Sequence, residues 1–162
     1  MPAAQFPSWE FDPSTMRVKV DVSLAADKNN INGLVESVLG LMKAMDCACD
    51  KEFEVETALR EALANAIVHG CGSDPTKKIQ CTVACDDDRG MLIVVRDPGA
   101  GFDLAALPNP THAENLYADH GRGIFMINQL VDHVSHAQSG TEIRMLIRGG
   151  KACAEADIFW KS

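Results

Sequence analysis

The chain has 162 residues, 46% of them apolar on a broad count, and 15 Lys and Arg against 23 Asp and Glu give it a formal net charge of −8. That is the size of one domain with enough apolar material for a single core, and the acidic balance without any dense Lys/Arg cluster argues against binding DNA or RNA through phosphate neutralisation. The longest apolar runs, such as MLIVV at 91–95, fall far short of the roughly 20 residues a membrane-spanning helix needs. The first residues also lack the basic and apolar regions of a secretory signal, so a cytoplasmic protein free of membrane is expected.

Residues 1–15 hold three prolines and no period, which predicts a flexible N-terminal arm ahead of one domain over 16–162. Met16, Val18, Val20, Val22 and Leu24 alternate with polar residues and predict a strand. A helix follows over about 27–45, where Ile31, Leu34, Val35, Val38, Leu41, Met42 and Met45 recur at three- and four-residue intervals. Asp50 is the expected N-cap of a second helix, Glu52 and Glu54 suit the positive end of its dipole, and Gly70 before CGSDP ends it.

KKIQCTVAC and MLIVVRD, joined by the polar turn DDDRG, form a hairpin in outline. The aspartates 86–88 lack the spaced oxygen ligands of a calcium loop and fit a solvated turn. Of the six cysteines, Cys81 and Cys85 alternate with polar residues as buried strand positions do; with no CxxC pair, all six read as structural thiols rather than disulfides or metal ligands. A long irregular stretch occupies 98–123, IFMINQLVDHV at 124–134 is a helix, and 135–160 supply two or three final strands. His133 and His136 are spaced like a ligand pair, but no second pair completes a site. This order predicts a two-layer α/β sandwich, a mixed and mostly antiparallel sheet covered on one face by three helices.

Three patches carry polar residues that scaffold alone does not require. On the second helix Glu61, Asn65 and His69 lie four apart, with Ala58 beside them, next to an apolar face of Val55, Leu59, Ala62, Leu63, Ala66 and Ile67. Asn is a mediocre helix former; its carbonyl oxygen suits a hard cation such as Mg2+, with the Glu61 carboxylate one turn away to accept a proton. In VVRDPGAGFD a strand delivers Asp97 into a loop with Gly99 and Gly101, where a carboxylate can accept from the exocyclic amine of adenine and the glycines allow close backbone approach. In HGRGIFMI, Gly121 and Gly123 open a helix whose free N–H groups favour an anion. Each patch alone also fits plain surface or turn chemistry. Their order along the chain, which lets all three meet at one sheet edge, favours a shared nucleotide site. Neither GxxxxGK[ST] nor GxGxxG is present, with Leu104 and Met126 where third glycines would stand.

With these residues the sequence resembles the GHKL (histidine-kinase-like) ATPase superfamily over about 16–147, and within it most closely the stand-alone bacterial serine kinases that act as anti-sigma factors. EALANAIVHG is similar to that family's N-box, DPGAGFD to its G1 box, GRGIFMI to its G2 box, and SGTEIRMLI to its closing strand. The resemblance implies a Bergerat-type ATP-binding fold and ATP with Mg2+ as cofactors. By the same resemblance Glu61 is the general base, Asn65 the Mg2+ ligand, Asp97 the adenine reader, and Gly99, Gly101, Gly121 and Gly123 the nucleotide-loop glycines. Thr141 would stand near the adenine, 103–120 would form the lid, and Arg122 would face the phosphates. The implied activity is a serine/threonine protein kinase that phosphorylates a STAS-domain anti-anti-sigma protein and sequesters a sigma factor. A homodimer formed through the first strand and helix is implied as well. The alternative is a catalytically weak, ATP-gated module that acts by sequestration alone.

Overall fold

The computed structural model describes residues 18–86, 90–99, 119–137 and 140–149. Among the described residues five strands form one sheet: β1 (Val18–Ala25), β2 (Lys78–Asp86), β3 (Gly90–Arg96), β4 (His133–Ala137) and β5 (Glu142–Ile147). Their spatial order is β1-β2-β3-β5-β4. All four pairings among the described residues are antiparallel, where some mixed pairing had been expected. Three α-helices among the described residues make up the second layer: α1 (Asn29–Met45), α2 (Glu52–Asn65) and α3 (Asp119–Leu130). The two-layer α/β sandwich read from the sequence is the observed architecture, with α2 packed between α1 and α3.

Strand alternation sorts the side chains. Cys81, Val83, Ile93, Val95, Met145 and Ile147 meet Val35, Val38, Leu59, Leu63 and Ile127 from the helices in one buried core. The opposite face is not left bare, because Ala84, Leu92 and Val94 form a second buried cluster there. The run MLIVV is therefore buried at every position, as a central strand covered on both sides requires.

Helix α1 begins at Asn29, whose N–H donates to Asp27 Oδ1 at 2.9 Å, and ends at Asp46 in the left-handed conformation with φ 56°. The predicted Asp50 cap of α2 is not formed. Asp50 lies in a 3-10 turn, Cys49–Lys51, that leads into α2, and Lys51 holds the cap position without a side-chain cap bond. The helix predicted over 124–134 is also corrected at both ends. It starts at Asp119, and beyond Leu130 the Asp132 N–H donates to Leu146 O at 2.9 Å, which draws His133 and Val134 into β4. Val131 and Val134 satisfy a helical period by spacing alone, but sheet pairing of Val134 with Met145 wins. On β4 the odd spacing of His133 and His136 sends them to opposite faces, so they do not converge as a ligand pair.

Cys47, Cys71, Cys81 and Cys85 are buried thiols, and burial pushes the Cys81 thiol up to about 12. Cys49 departs from the all-thiol reading, being disulfide-bonded. The predicted arm at 1–15, the strands expected beyond 150 and the body of the predicted lid, 103–118, lie outside the described residues; the last two positions assigned to that lid, Asp119 and His120, belong to α3.

Candidate functional site

Helix α2 buries Val55, Ala58, Leu59, Ala62 and Leu63, which fixes its rotation. Ala58, placed by spacing beside the polar stripe, is wholly buried in the core. Because 100° separates successive residues, Glu61 and Asn65 are left half-buried on the flank toward α3. There they meet Gly123. A Cβ built on Gly123 would lie 3.1 Å from Asn65 Nδ2 and 3.1 Å from Glu61 Oε2. Beside this contact opens a cleft of about 580 Å³, lined by Glu61, Ala64, Asn65, Val68, His69, Gly123 and Met126. The carboxylate and amide that the spacing singled out thus share a cavity with one glycine of the GRG segment.

Gly123 sits deeper in α3 than the helix-opening position expected of it. Since α3 starts at Asp119, Gly123 is its fifth residue, beyond the first four N–H groups that lack intrahelical acceptors. It contributes the missing side chain that lets α3 lie against Glu61 and Asn65. Gly121 and Arg122 fall in the first turn, at the positive end of the dipole.

After Asn65 the helix widens into a π turn, Ala66–Gly70, closed by Cys71 N–H donating to Ala66 O at 2.9 Å. Such turns are rare and cluster at functional sites. Gly70, at its end, touches Asp97. A Cβ on Gly70 would lie 2.2 Å from Asp97 Cγ, and one on Gly99 would lie 2.4 Å from Gly70 O. Two backbone segments, the π turn at Gly70 and the loop at Gly99, therefore close on the Asp97 carboxyl group, which accepts from Gly99 N–H at 2.8 Å. Burial pushes the Asp97 pKa up, and the Gly99 N–H partly offsets this. Burial likewise raises the Cys71 thiol, with the nearby Asp97 charge adding to the effect. Asp97 N–H donates to Thr141 O at 2.9 Å, so the ladder between β3 and β5 runs one pair past both strands and brings Thr141 beside Asp97.

The candidate residues thus fall into two groups joined by the π turn: Glu61, Asn65 and Gly123 at one end, Asp97, Gly99 and Thr141 at the other. Asp97 does not line the cleft at Glu61. Gly101 lies outside the described residues. Gly70 was read from the sequence only as a helix terminator; its contact with Asp97 had no local signal, since 27 residues separate the two.

An open antiparallel sheet under three helices, with a Glu/Asn pair on the middle helix facing the glycine-bearing helix, is the setting in which relatives can be compared. The sequence profile of the histidine kinase-like ATPase domain matches residues 24–147. The chain belongs to that family. As a histidine kinase-like ATPase domain it is similar to proteins named anti-sigma F factor. It is 27% identical over 135 residues to the one from Heyndrickxia coagulans, covering 80% of this chain and 92% of the relative. It is 28% identical over 135 residues to the one from Geobacillus thermodenitrificans, covering 79% and 90%. Among solved structures, that of the RsbU and RsbW domains of Rv1364c from Mycobacterium tuberculosis superposes with a TM-score of 0.56 at 18% identity, over 81% of this chain. The match spans 32% of that longer chain and speaks for the fold. Among the described residues no helix is long and apolar enough to cross a membrane.

Proposed function

We propose that this histidine kinase-like ATPase domain is an anti-sigma factor with ATP- and Mg2+-dependent serine kinase activity toward a STAS-domain anti-anti-sigma protein. The observation that carries the reading is the approach of Gly123 to both Glu61 and Asn65 at the edge of an open cleft. The relatives named anti-sigma F factor support the regulatory part of it.

The donor set fits the groups the activity needs. Asn65 offers a hard amide oxygen and Glu61 a carboxylate on the same face, so Asn65 would hold the Mg2+. When bound, Mg2+ supplies charge neutralisation for the triphosphate. The chain's own residues do the rest. Asp97 accepts from the exocyclic amine of adenine, and Gly70 and Gly99, by lacking side chains, leave room for its carboxyl group between two backbone segments. The first turn of α3, with Gly121 and Arg122, presents N–H groups and a positive dipole end to the phosphates. Glu61 orients the seryl hydroxyl of the partner and takes its proton as the oxygen attacks the terminal phosphorus and ADP departs. Partner switching follows because the STAS protein, before its serine is phosphorylated, and a sigma factor compete for the same kinase. Self-association as a homodimer belongs to this reading.

The test is incubation with terminally labelled ATP, Mg2+ and a candidate STAS protein. Label is expected on a partner serine. Glu61→Ala should lower transfer by about 10²–10⁴-fold, the usual share of a positioned base, with ATP binding by calorimetry close to wild type. Undiminished transfer by this variant would remove Glu61 from its role. A tight nucleotide-dependent complex without any label would instead establish the sequestering module.

A further inference from the structure

Behind Asp97, on the face of the sheet away from the helices, stands a group of side chains that the proposed reaction does not use. Among the described residues Glu142 is the one charged residue that is buried, at 2% exposure. Arg96 on β3 donates from Nη2 to Glu142 Oε2 at 3.0 Å, and Arg144 on β5 donates from Nε to Glu142 Oε1 at 3.0 Å. Both carboxylate oxygens are thereby engaged, and the ion pair spans the two strands at the register pair Arg96–Glu142.

That pair is adjacent in sequence to the two residues assigned to adenine. Asp97 follows Arg96 and Thr141 precedes Glu142, and the Asp97 N–H to Thr141 O bond continues the same ladder. Strand alternation sends Asp97 and Thr141 to the helix-covered face while Arg96, Glu142 and Arg144 lie on the other. The ionic group is therefore a clamp on the reverse side of the adenine end of the sheet.

Stability alone does not account for it. A buried ion pair is commonly no better than well-packed apolar side chains of similar size, and Leu92 and Val94 show that apolar side chains are accommodated on this face. What an ionic pair adds is register. A slip of one residue between β3 and β5 would turn Asp97 or Thr141 to the wrong face, and it would also part Glu142 from Arg96 in a place with little access to water.

We propose that Glu142, held by Arg96 and Arg144, is a positioning residue for adenine recognition: it fixes the β3–β5 register beyond the strand ends and so holds Asp97 and Thr141 together on the nucleotide side. The adenine part of this rests on the kinase reading above; the register part does not.

Two measurements on Glu142→Gln separate them. In nucleotide-free protein, residue-resolved amide exchange at Asp97 should accelerate about tenfold or more, while Val20 and Val83 amides between β1 and β2 keep wild-type protection. With nucleotide, the variant should lose about tenfold in ATP affinity and much of its preference for ATP over GTP, with the transfer rate at saturating ATP within about twofold of wild type. Arg96→Gln removes the more exposed partner and leaves the Glu142–Arg144 pair, so it should shift the same readouts in the same direction by a smaller factor. It serves as the test if Glu142→Gln does not fold. Unchanged exchange at Asp97 overturns the clamp. Faster exchange with ATP/GTP discrimination intact overturns its role in recognition, as does a loss of stability that leaves nucleotide affinity untouched. A wild-type protein that binds no ATP overturns the kinase reading, and the exchange result then still decides the clamp.

Discussion

The two ends of the π turn are built on opposite principles. At Glu61 and Asn65 the site is an open cleft, and the groups facing Gly123 are the far ends of flexible side chains. At Asp97 the site is closed backbone, with Gly70 and Gly99 pressed against one carboxyl group and against each other. The first arrangement tolerates movement, as suits groups that must receive a partner's side chain. The second fixes one acceptor in one place, as suits reading the edge of a base, and it does so at the expense of solvating that acceptor. On the proposed reading, chemistry and recognition are separated at the two ends of the π turn.

Substituting glycines at the two ends is the sharpest way to break this contrast. Gly70→Ala should have the largest effect. Its Cβ has no room beside the Asp97 carboxyl group, so that group would be displaced from its bond with Gly99 N–H, an overpacking that costs roughly 1–3 kcal/mol. Urea denaturation should register that loss, and calorimetry a fall in ATP affinity of more than about tenfold. A variant of wild-type stability and affinity would mean that the closed end is looser than its geometry.

Asp97→Asn comes next. An Asn oxygen can still accept from Gly99 N–H, but its NH₂ would then face the adenine amine donor to donor, and ATP affinity should fall on the order of tenfold. The same variant tests desolvation through pH. Burial raises the folded-state pKa of Asp97 above its ordinary value of 3.8. Between those two values the folded state binds more protons than the unfolded one, so the Asp97 contribution makes stability fall as pH rises through that window. Asp97→Asn should remove this slope and leave the protein more stable than wild type at neutral pH. Denaturation midpoints that keep the wild-type pH dependence would exclude burial of the charge as its source.

Gly123→Ala should have the smallest effect. Its Cβ would meet only side-chain ends that can swing aside, and Ala is favoured over Gly in a helix by about 1 kcal/mol. Stability should hold or rise slightly, while displacement of Glu61 and Asn65 lowers the transfer rate about fivefold. A loss of stability comparable with that of Gly70→Ala would erase the difference between the two ends.

The legible and the hidden parts of this site differ in a consistent way. Glu61 and Asn65 stood out because a four-residue spacing on an amphipathic helix is a local property, and the apolar face that rotates them toward α3 is written in the same segment. Asp97 stood out because it ends an apolar strand and begins a glycine-rich loop. The entry to β4 differed because the three-residue spacing of Val131 and Val134 suits either structure. The Asp50 cap failed because a 3-10 turn took up the residues before α2. Glu142 was not singled out, since its pairing with Arg96 joins residues far apart in the chain.

The sequence by itself determined the strands, the helices, their layer and the positions of the chemical groups, because periodicity and turn chemistry act over a few neighbouring residues. Tertiary structure alone decided that α2 ends in a π turn, that Gly70 is shaped around Asp97 and that Glu142 is clamped behind it. These depend on distances between segments far apart in the chain, and no local pattern encodes how closely two such segments will pack.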